Sequence, residues 1–260
     1  RPAGPALVLL AGLALAPLPA AGLPVDLELV LAVDVSGSMD AEEQALQREG
    51  YTAALVHPEV IGAIRAGGFG RIALTYVEWA GAGAQVVTVP WTLVEDEATA
   101  AAFAARLAAA PVARIRGTSI SGALAFSAGL FDLDDHQGLR RVIDVSGDGP
   151  NNMGAPVVPV RDAVLAEGIT VNGLPIMLRP GGGFGSLVDL DVYYADCVIG
   201  GPGAFVLPVR AREELRTAIR RKLLLEIAGR APVALPAAAG AAPRVDCTVG
   251  EQQWRQLWER

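Results

Sequence analysis

The run Leu27-Glu28-Leu29-Val30-Leu31-Ala32-Val33 restricts what this chain can become more than any other stretch. It is long, rich in Leu and Val and carries one charge, so it reads as a strand buried on both faces of a parallel sheet. An open α/β fold places its binding crevice at the carboxyl ends of such strands. There the chain sets out Asp34-Val35-Ser36-Gly37-Ser38-Met39, with a carboxylate and two hydroxyls at alternate positions. The acidic, helix-permissive Asp40-Ala41-Glu42-Glu43-Gln44 follows, where acids in a first turn favour a helix start. Small oxygen donors on one tight loop suit a hard cation such as Mg²⁺.

The remaining pattern alternates. Helices are expected over 42–56 and 59–65, with His57-Pro58 between them, and a strand over 71–79. A hairpin partner is expected over 85–89 across Gly81-Ala82-Gly83. Residues 90–94 then lead into a helix over 96–109, and a further helix covers 119–131. Asp132 to His136 reads as a solvated acidic turn. A strand ending before Asp148, a helix over 157–167 and a strand over 169–175 follow. A short helix holding Tyr193, Tyr194 and Cys197, a last strand over 203–209 and a helix over 213–228 complete the series. This order predicts a doubly wound, mostly parallel sheet with helices on both faces and one short antiparallel edge strand.

Asp-x-Ser-x-Ser after a buried strand resembles the von Willebrand factor A family and its metal-ion-dependent adhesion site, over about residues 25–229. That site is discontinuous, and the resemblance requires a threonine on a second loop and an aspartate after a later strand. Thr118 stands in Arg116-Gly117-Thr118-Ser119-Ile120 and Asp148 in Val145-Ser146-Gly147-Asp148-Gly149, each at an element boundary. The resemblance implies that Ser36 and Ser38 bind the ion directly and Thr118 directly or through water. It implies that Asp34 and Asp148 hold waters and balance charge, leaving one position for a carboxylate from a protein partner. The ion expected there is Mg²⁺, or Mn²⁺ or Ca²⁺ in its place. Asn151 and Asn152 either rim the site or shape the turn. The stretch from Tyr193 to Phe205 further resembles a bacterial family of exported A-domain proteins with no assigned activity.

Residues 1–22 read as a targeting signal: Arg1, an apolar core over 6–16, Pro17 and Pro19, then small residues to Gly22. The rival is a membrane anchor, for which the core is short of the ~20 residues a span needs. Export to a periplasmic or extracellular location is therefore expected, with no membrane span after cleavage. An Ala/Pro linker is expected over 230–244 and a docking segment over 245–260, where Trp254 and Trp258 share a helix face. Cys197 and Cys247 invite a disulfide in an oxidising compartment, the alternative being two separate thiols. A net charge of −7 argues against a nucleic-acid partner. Asp144 reads as a strand-start residue, and Arg216, Arg220, Arg221 and Lys222 as the solvated end of the last helix.

The expected function is metal-dependent protein binding without catalysis. Two alternatives stand beside it: a structural envelope component whose ion only stabilises the fold, and a metal-dependent hydrolase or phosphatase-like enzyme. Phosphatases of the haloacid dehalogenase type need a second Asp two residues after the first, where this chain has Ser36. Gly117-Thr118-Ser119-Ile120-Ser121-Gly122 departs from the Gly-x-Ser-x-Gly spacing of a nucleophile elbow.

Overall fold

Strand β2 (Leu27–Asp34) runs through the middle of the molecule with all eight residues buried, as its apolar run requires. The computed structural model describes residues 22–111, 115–179, 187–229 and 243–258. β2 is the third strand of a five-stranded sheet that also contains β3 (Ile72–Trp79), β4 (Gln85–Val94), β6 (Arg141–Gly147) and β7 (Ile169–Pro175). The order is β4-β3-β2-β6-β7; only the β3–β4 pair is antiparallel. The fold is thus the mixed α/β arrangement with a mostly parallel sheet that the alternation predicts.

Period-two alternation along β2 divides the core. Leu27, Leu29, Leu31 and Val33 belong to one layer, with Tyr51 of α1 (Ala41–Leu55) and Ile64 of α2 (Pro58–Arg65). Phe103 of α3 (Glu97–Ala109) and Ile219 of α7 (Arg212–Ala228) complete that layer. Val30 and Ala32 face the other way, toward Leu124 of α4 (Ile120–Leu130) and Val164 of α5 (Val157–Ala166). Tyr193 of the short α6 (Leu190–Tyr193) joins this second layer. Each fully buried Leu or Val contributes roughly 1.5–3 kcal/mol, so a strand covered on both faces anchors both layers.

Several elements depart from the sequence expectation for local reasons. β4 continues through Pro90 to Val94, with register shifts opposite Leu74 and Tyr76. An edge strand tolerates a residue without an N–H where the ladder bulges. Residues 203–209 run beside β7 but form isolated bridges at Val206 and Val209 instead of a ladder strand. Pro208 lies between those bridges and cannot donate. In place of a plain acidic turn, a 3₁₀ turn (Phe131–Leu133) leads to β5 (His136–Gly138), which pairs in parallel with β1 (Leu23–Val25).

Asp144 and Lys222 are not at the surface. Both are buried, and Lys222 Nζ lies between Asp144 and Glu226, 2.5 Å from Glu226 Oε1. Cys197 and Cys247 form a disulfide with Cα atoms 5.6 Å apart. It ties the turn after α6 to the segment that precedes α8 (Val249–Trp258). Among the described residues no helix is long and apolar enough to cross a membrane. Residues 1–21 of the expected signal (1–22), residues 230–242 of the expected linker (230–244), the Gly181–Gly185 loop and the side chain of Trp258 lie outside what is described.

Candidate metal centre

The chain builds the sheet outward from β2 through β3 to β4, then returns to the other side of β2 for β6 and β7. The winding therefore reverses between β2 and β6, and crossover helices leave a crevice at the carboxyl ends of those strands. Asp34 is the last residue of β2, and Asp148 directly follows Gly147, the last residue of β6. Both acids stand at this switch point because the strands that carry them are neighbours in register.

Hydrogen bonds join the loops. The Ser36 N–H donates to Asp34 Oδ1 at 2.6 Å. Ser36 Oγ and Ser38 Oγ are 2.7 Å apart, and Ser38 Oγ donates to Asp148 Oδ1 at 2.6 Å. The segment before Thr118 lies alongside: Ser36 pairs with Ile115, whose carbonyl accepts from Gly37 N at 2.9 Å. Thr118 is buried, and its backbone is held by the Asp148 loop. Its N–H donates to Asn152 Oδ1 at 2.9 Å, and its carbonyl accepts from Asn152 N at 2.9 Å. Asp34, Ser36, Ser38 and Asp148 are thus linked directly, with Thr118 on an adjoining loop. Asp34 and Ser36 are buried, whereas Ser38 and Asp148 are half-buried and Gly37 is exposed.

The electrostatics are unbalanced. Asp34 is fully buried, and its Oδ2 has no hydrogen-bond partner among the described residues. Burial, reinforced by the charge of Asp148, pushes the Asp34 carboxyl well above the usual carboxylate range, against the pull of its Ser36 bonds. Asp148 is pushed up to about 6, first by burial, while the Ser38 bond and the Arg179 guanidinium pull it down. Two neighbouring carboxylates with an orphaned oxygen, joined to the hydroxyls of Ser36 and Ser38, offer oxygen donors only, which fits a hard divalent cation. Thr118 is placed on the adjoining loop by its backbone bonds to Asn152. No group of three or more His, Cys, Asp or Glu side chains able to hold a metal occurs among the described residues.

Other side chains hold this geometry. Asp40 caps α1 in a reciprocal box with Glu43, starting the helix directly after the loop. Gln44 Nε2 donates to Val35 O at 3.0 Å, and Gln47 Nε2 reaches Asp34 O at 3.5 Å. Arg179, beyond β7, donates to Ser38 O and Glu43. A Cβ at Gly147 would stand 2.9 Å from both Asp34 Oδ2 and the buried Tyr194 hydroxyl, so a side chain there would fill the space against Asp34. Asn152 acts on Thr118, and Asn151 Oδ1 accepts from Ser121 N at 3.0 Å in the first turn of α4. Sequence reasoning singled out the two asparagines but missed Gln44, Gln47, Arg179 and Tyr194. The glutamines had a readable signal, polar residues three apart on the inward face of a helix; Arg179 and Tyr194 had none.

Comparison with known families decides the affiliation. The model of the family described as "Protein of unknown function (DUF1194)" matches residues 24–231. The chain belongs to the DUF1194 family. No curated protein sequence matches this DUF1194 chain. Among solved structures it is similar to the pilus adhesin SpaC from Lactobacillus rhamnosus GG in its open conformation, with TM-score 0.58 and 12% identity. That match covers 78% of this chain and 30% of SpaC. A von Willebrand factor type A protein from Catenulispora acidiphila gives TM-score 0.54 at 16% identity, covering 78% and 43%. Proximal thread matrix protein 1 from the mussel byssus, described with a zinc-occupied MIDAS motif, gives TM-score 0.54 at 16% identity, covering 80% and 49%. The DUF1194 chain spans less than half the length of each of these three. At such identities the likeness establishes a von Willebrand A-like fold and nothing finer.

Proposed function

We propose that this DUF1194 protein is a metal-dependent binding module that captures a carboxylate of a protein partner. The observation that carries the reading is the hydrogen-bonded series Ser36–Ser38–Asp148 beside Asp34, whose second oxygen is buried without a partner. Ser36 and Ser38 would ligate directly, Thr118 directly or through water, and Asp34 and Asp148 would hold waters and neutralise charge. A bound Mg²⁺, or Mn²⁺ or Ca²⁺, supplies an electropositive centre for an incoming Asp or Glu carboxylate. Ser38 and Asp148 are half-buried rather than sealed in the core, which supports access of such a group from solvent. A zinc-occupied motif in one fold neighbour and the adhesin description of another agree with this reading. The disulfide is compatible with an exported location. We take the protein as non-enzymatic.

Calorimetric titration with Mg²⁺ and Mn²⁺ tests the cation. The wild type is expected to bind one ion, and Asp34→Ala and Asp148→Ala are expected to abolish the heat. Unchanged binding in both variants would remove the claim. Capture of an envelope protein that is lost with chelator and with Ser38→Ala tests the partner. A protein whose melting temperature rises with Mg²⁺ but which shows no cation-dependent capture has an ion that only stabilises the fold.

A further inference from the structure

We infer that α8 braces the metal loops, with Glu251 acting through Asn151 as a positioning residue. The inference rests on the proposed cation site. It concerns a segment beyond the family-matched region, which ends at residue 231.

Asn151 is fully buried and joins three elements. Its Oδ1 accepts from Ser121 N in α4, and its Nδ2 donates to Ala155 O at 3.1 Å and to Glu251 Oε1 at 2.7 Å. The bond to Glu251 is charge-assisted, about twice as strong as a neutral one, so it holds the amide plane most firmly. The next residue, Asn152, holds the backbone of Thr118 on both its N–H and its carbonyl. The peptide from Pro150 to Asn152 is therefore clamped between the Thr118 loop and α8, directly downstream of Asp148.

The contact is built for close approach. A Cβ at Gly250 would stand 2.8 Å from the Asn151 carbonyl carbon and 3.1 Å from Pro150 Cγ, distances that a side chain cannot occupy without displacing the loop. The segment leading to α8 is anchored independently of Glu251. The Cys197–Cys247 disulfide holds it covalently, and Arg244 Nη2 meets Asp196 Oδ1 at 2.7 Å. The Tyr193 hydroxyl accepts from Asn151 N at 3.2 Å and reaches Cys247 O at 3.4 Å. With these anchors in place, loss of the Glu251 carboxylate leaves α8 tethered but removes the strongest of the three bonds that fix the Asn151 amide. A group that orients ligands from outside the coordination shell typically changes metal affinity by about 10–100-fold when removed.

The test compares the full chain with Glu251→Ala, Glu251→Gln and Gly250→Ala, by amide hydrogen exchange in the metal-free protein and by Mg²⁺ calorimetry. Glu251→Ala and Gly250→Ala should speed exchange at Ser121 and Thr118 and weaken Mg²⁺ about tenfold. Glu251→Gln keeps a neutral acceptor for Asn151 Nδ2 without the charge, so both values should fall between those of Glu251→Ala and the wild type. Unchanged exchange and affinity in Glu251→Ala overturn the brace. So does equal damage from Glu251→Gln, or loss of the whole fold in Glu251→Ala. If the wild type binds no Mg²⁺, the cation reading fails, and the exchange comparison at Ser121 and Thr118 still decides the brace.

Discussion

Asp34 sits where burial works against its own charge. Its carboxyl is fully buried beside a second acid, with one oxygen unpaired among the described residues. A buried polar group without a partner costs about 1–3 kcal/mol, more when charged. Asp34→Asn keeps the shape, removes the charge and removes the repulsion of Asp148. The metal-free variant is expected to melt a few degrees above the metal-free wild type at neutral pH, while losing the stabilisation that added Mg²⁺ gives the wild type. Differential scanning calorimetry with chelator and with Mg²⁺ measures both, and a lower metal-free melting temperature for the variant would contradict the argument. At this scale the sequence was readable wherever chemistry is local. Asp34 ends an apolar strand and Ser36 and Ser38 follow on the adjoining loop, while Asp148 follows a strand of similar kind. Arg179 was not readable, because its role depends on where residues beyond β7 fall relative to Ser38, a contact across 141 positions.

Among elements, the pairing of β6 with α7 holds the least expected feature, the buried trio Asp144, Lys222 and Glu226. Asp144 reads in the sequence as a strand-start residue, and Lys222 as one of four cations late in the last helix, where the macrodipole and solvent favour them. Helix geometry turns Lys222 inward with Leu215, Ile219, Leu223 and Glu226, on the face opposite the exposed Arg221. Burial and the Asp144 charge push Glu226 up to about 8, while Lys222 and the Asn172 amide pull it down. A carboxyl raised above its ordinary value holds a proton in the folded state that the unfolded chain has released. Its stabilising contribution is complete below about pH 4.5 and is lost as pH rises through about 8. Stability of the wild type is therefore expected to fall between pH 5 and pH 8.5, and Glu226→Gln to make that decline shallower, both seen in denaturant midpoints. An identical slope in the variant would show that Glu226 is not the proton holder. Lys222→Ala leaves Asp144 without its cation and is expected to cost about 3–5 kcal/mol. Element order was legible because period-two and helical patterns alternate. The interrupted edge at 203–209 was not, since Val206 and Val209 read as strand while Pro208 between them withholds a ladder bond.

For the whole molecule, the disulfide decides how the far end of the chain relates to the site. Two cysteines and an expected export signal made the pairing readable, but not that α8 lands on Asn151. That contact depends on Gly250 and Glu251, and neither residue type signals a partner at a distance of about a hundred positions. The bridge closes a loop between residues 50 apart. Constraining the unfolded chain over such a loop is worth about 4 kcal/mol in the chain-entropy account, and native disulfides of small exported domains typically give about 2–5 kcal/mol. For a chain of this size each kcal/mol moves the melting temperature by about 2–4 °C. Replacing both Cys197 and Cys247 with Ala should therefore lower it by roughly 5–15 °C, measured by calorimetry in the presence of chelator so that no ion contributes. The doubly wound sheet should still form, because its two layers are built from β2, its flanking strands and helices α1 to α7, and far-ultraviolet circular dichroism should stay close to the wild type. A variant whose melting temperature is unchanged would mean that the tail's other anchors, Arg244 on Asp196 and Glu251 on Asn151, suffice without the covalent link.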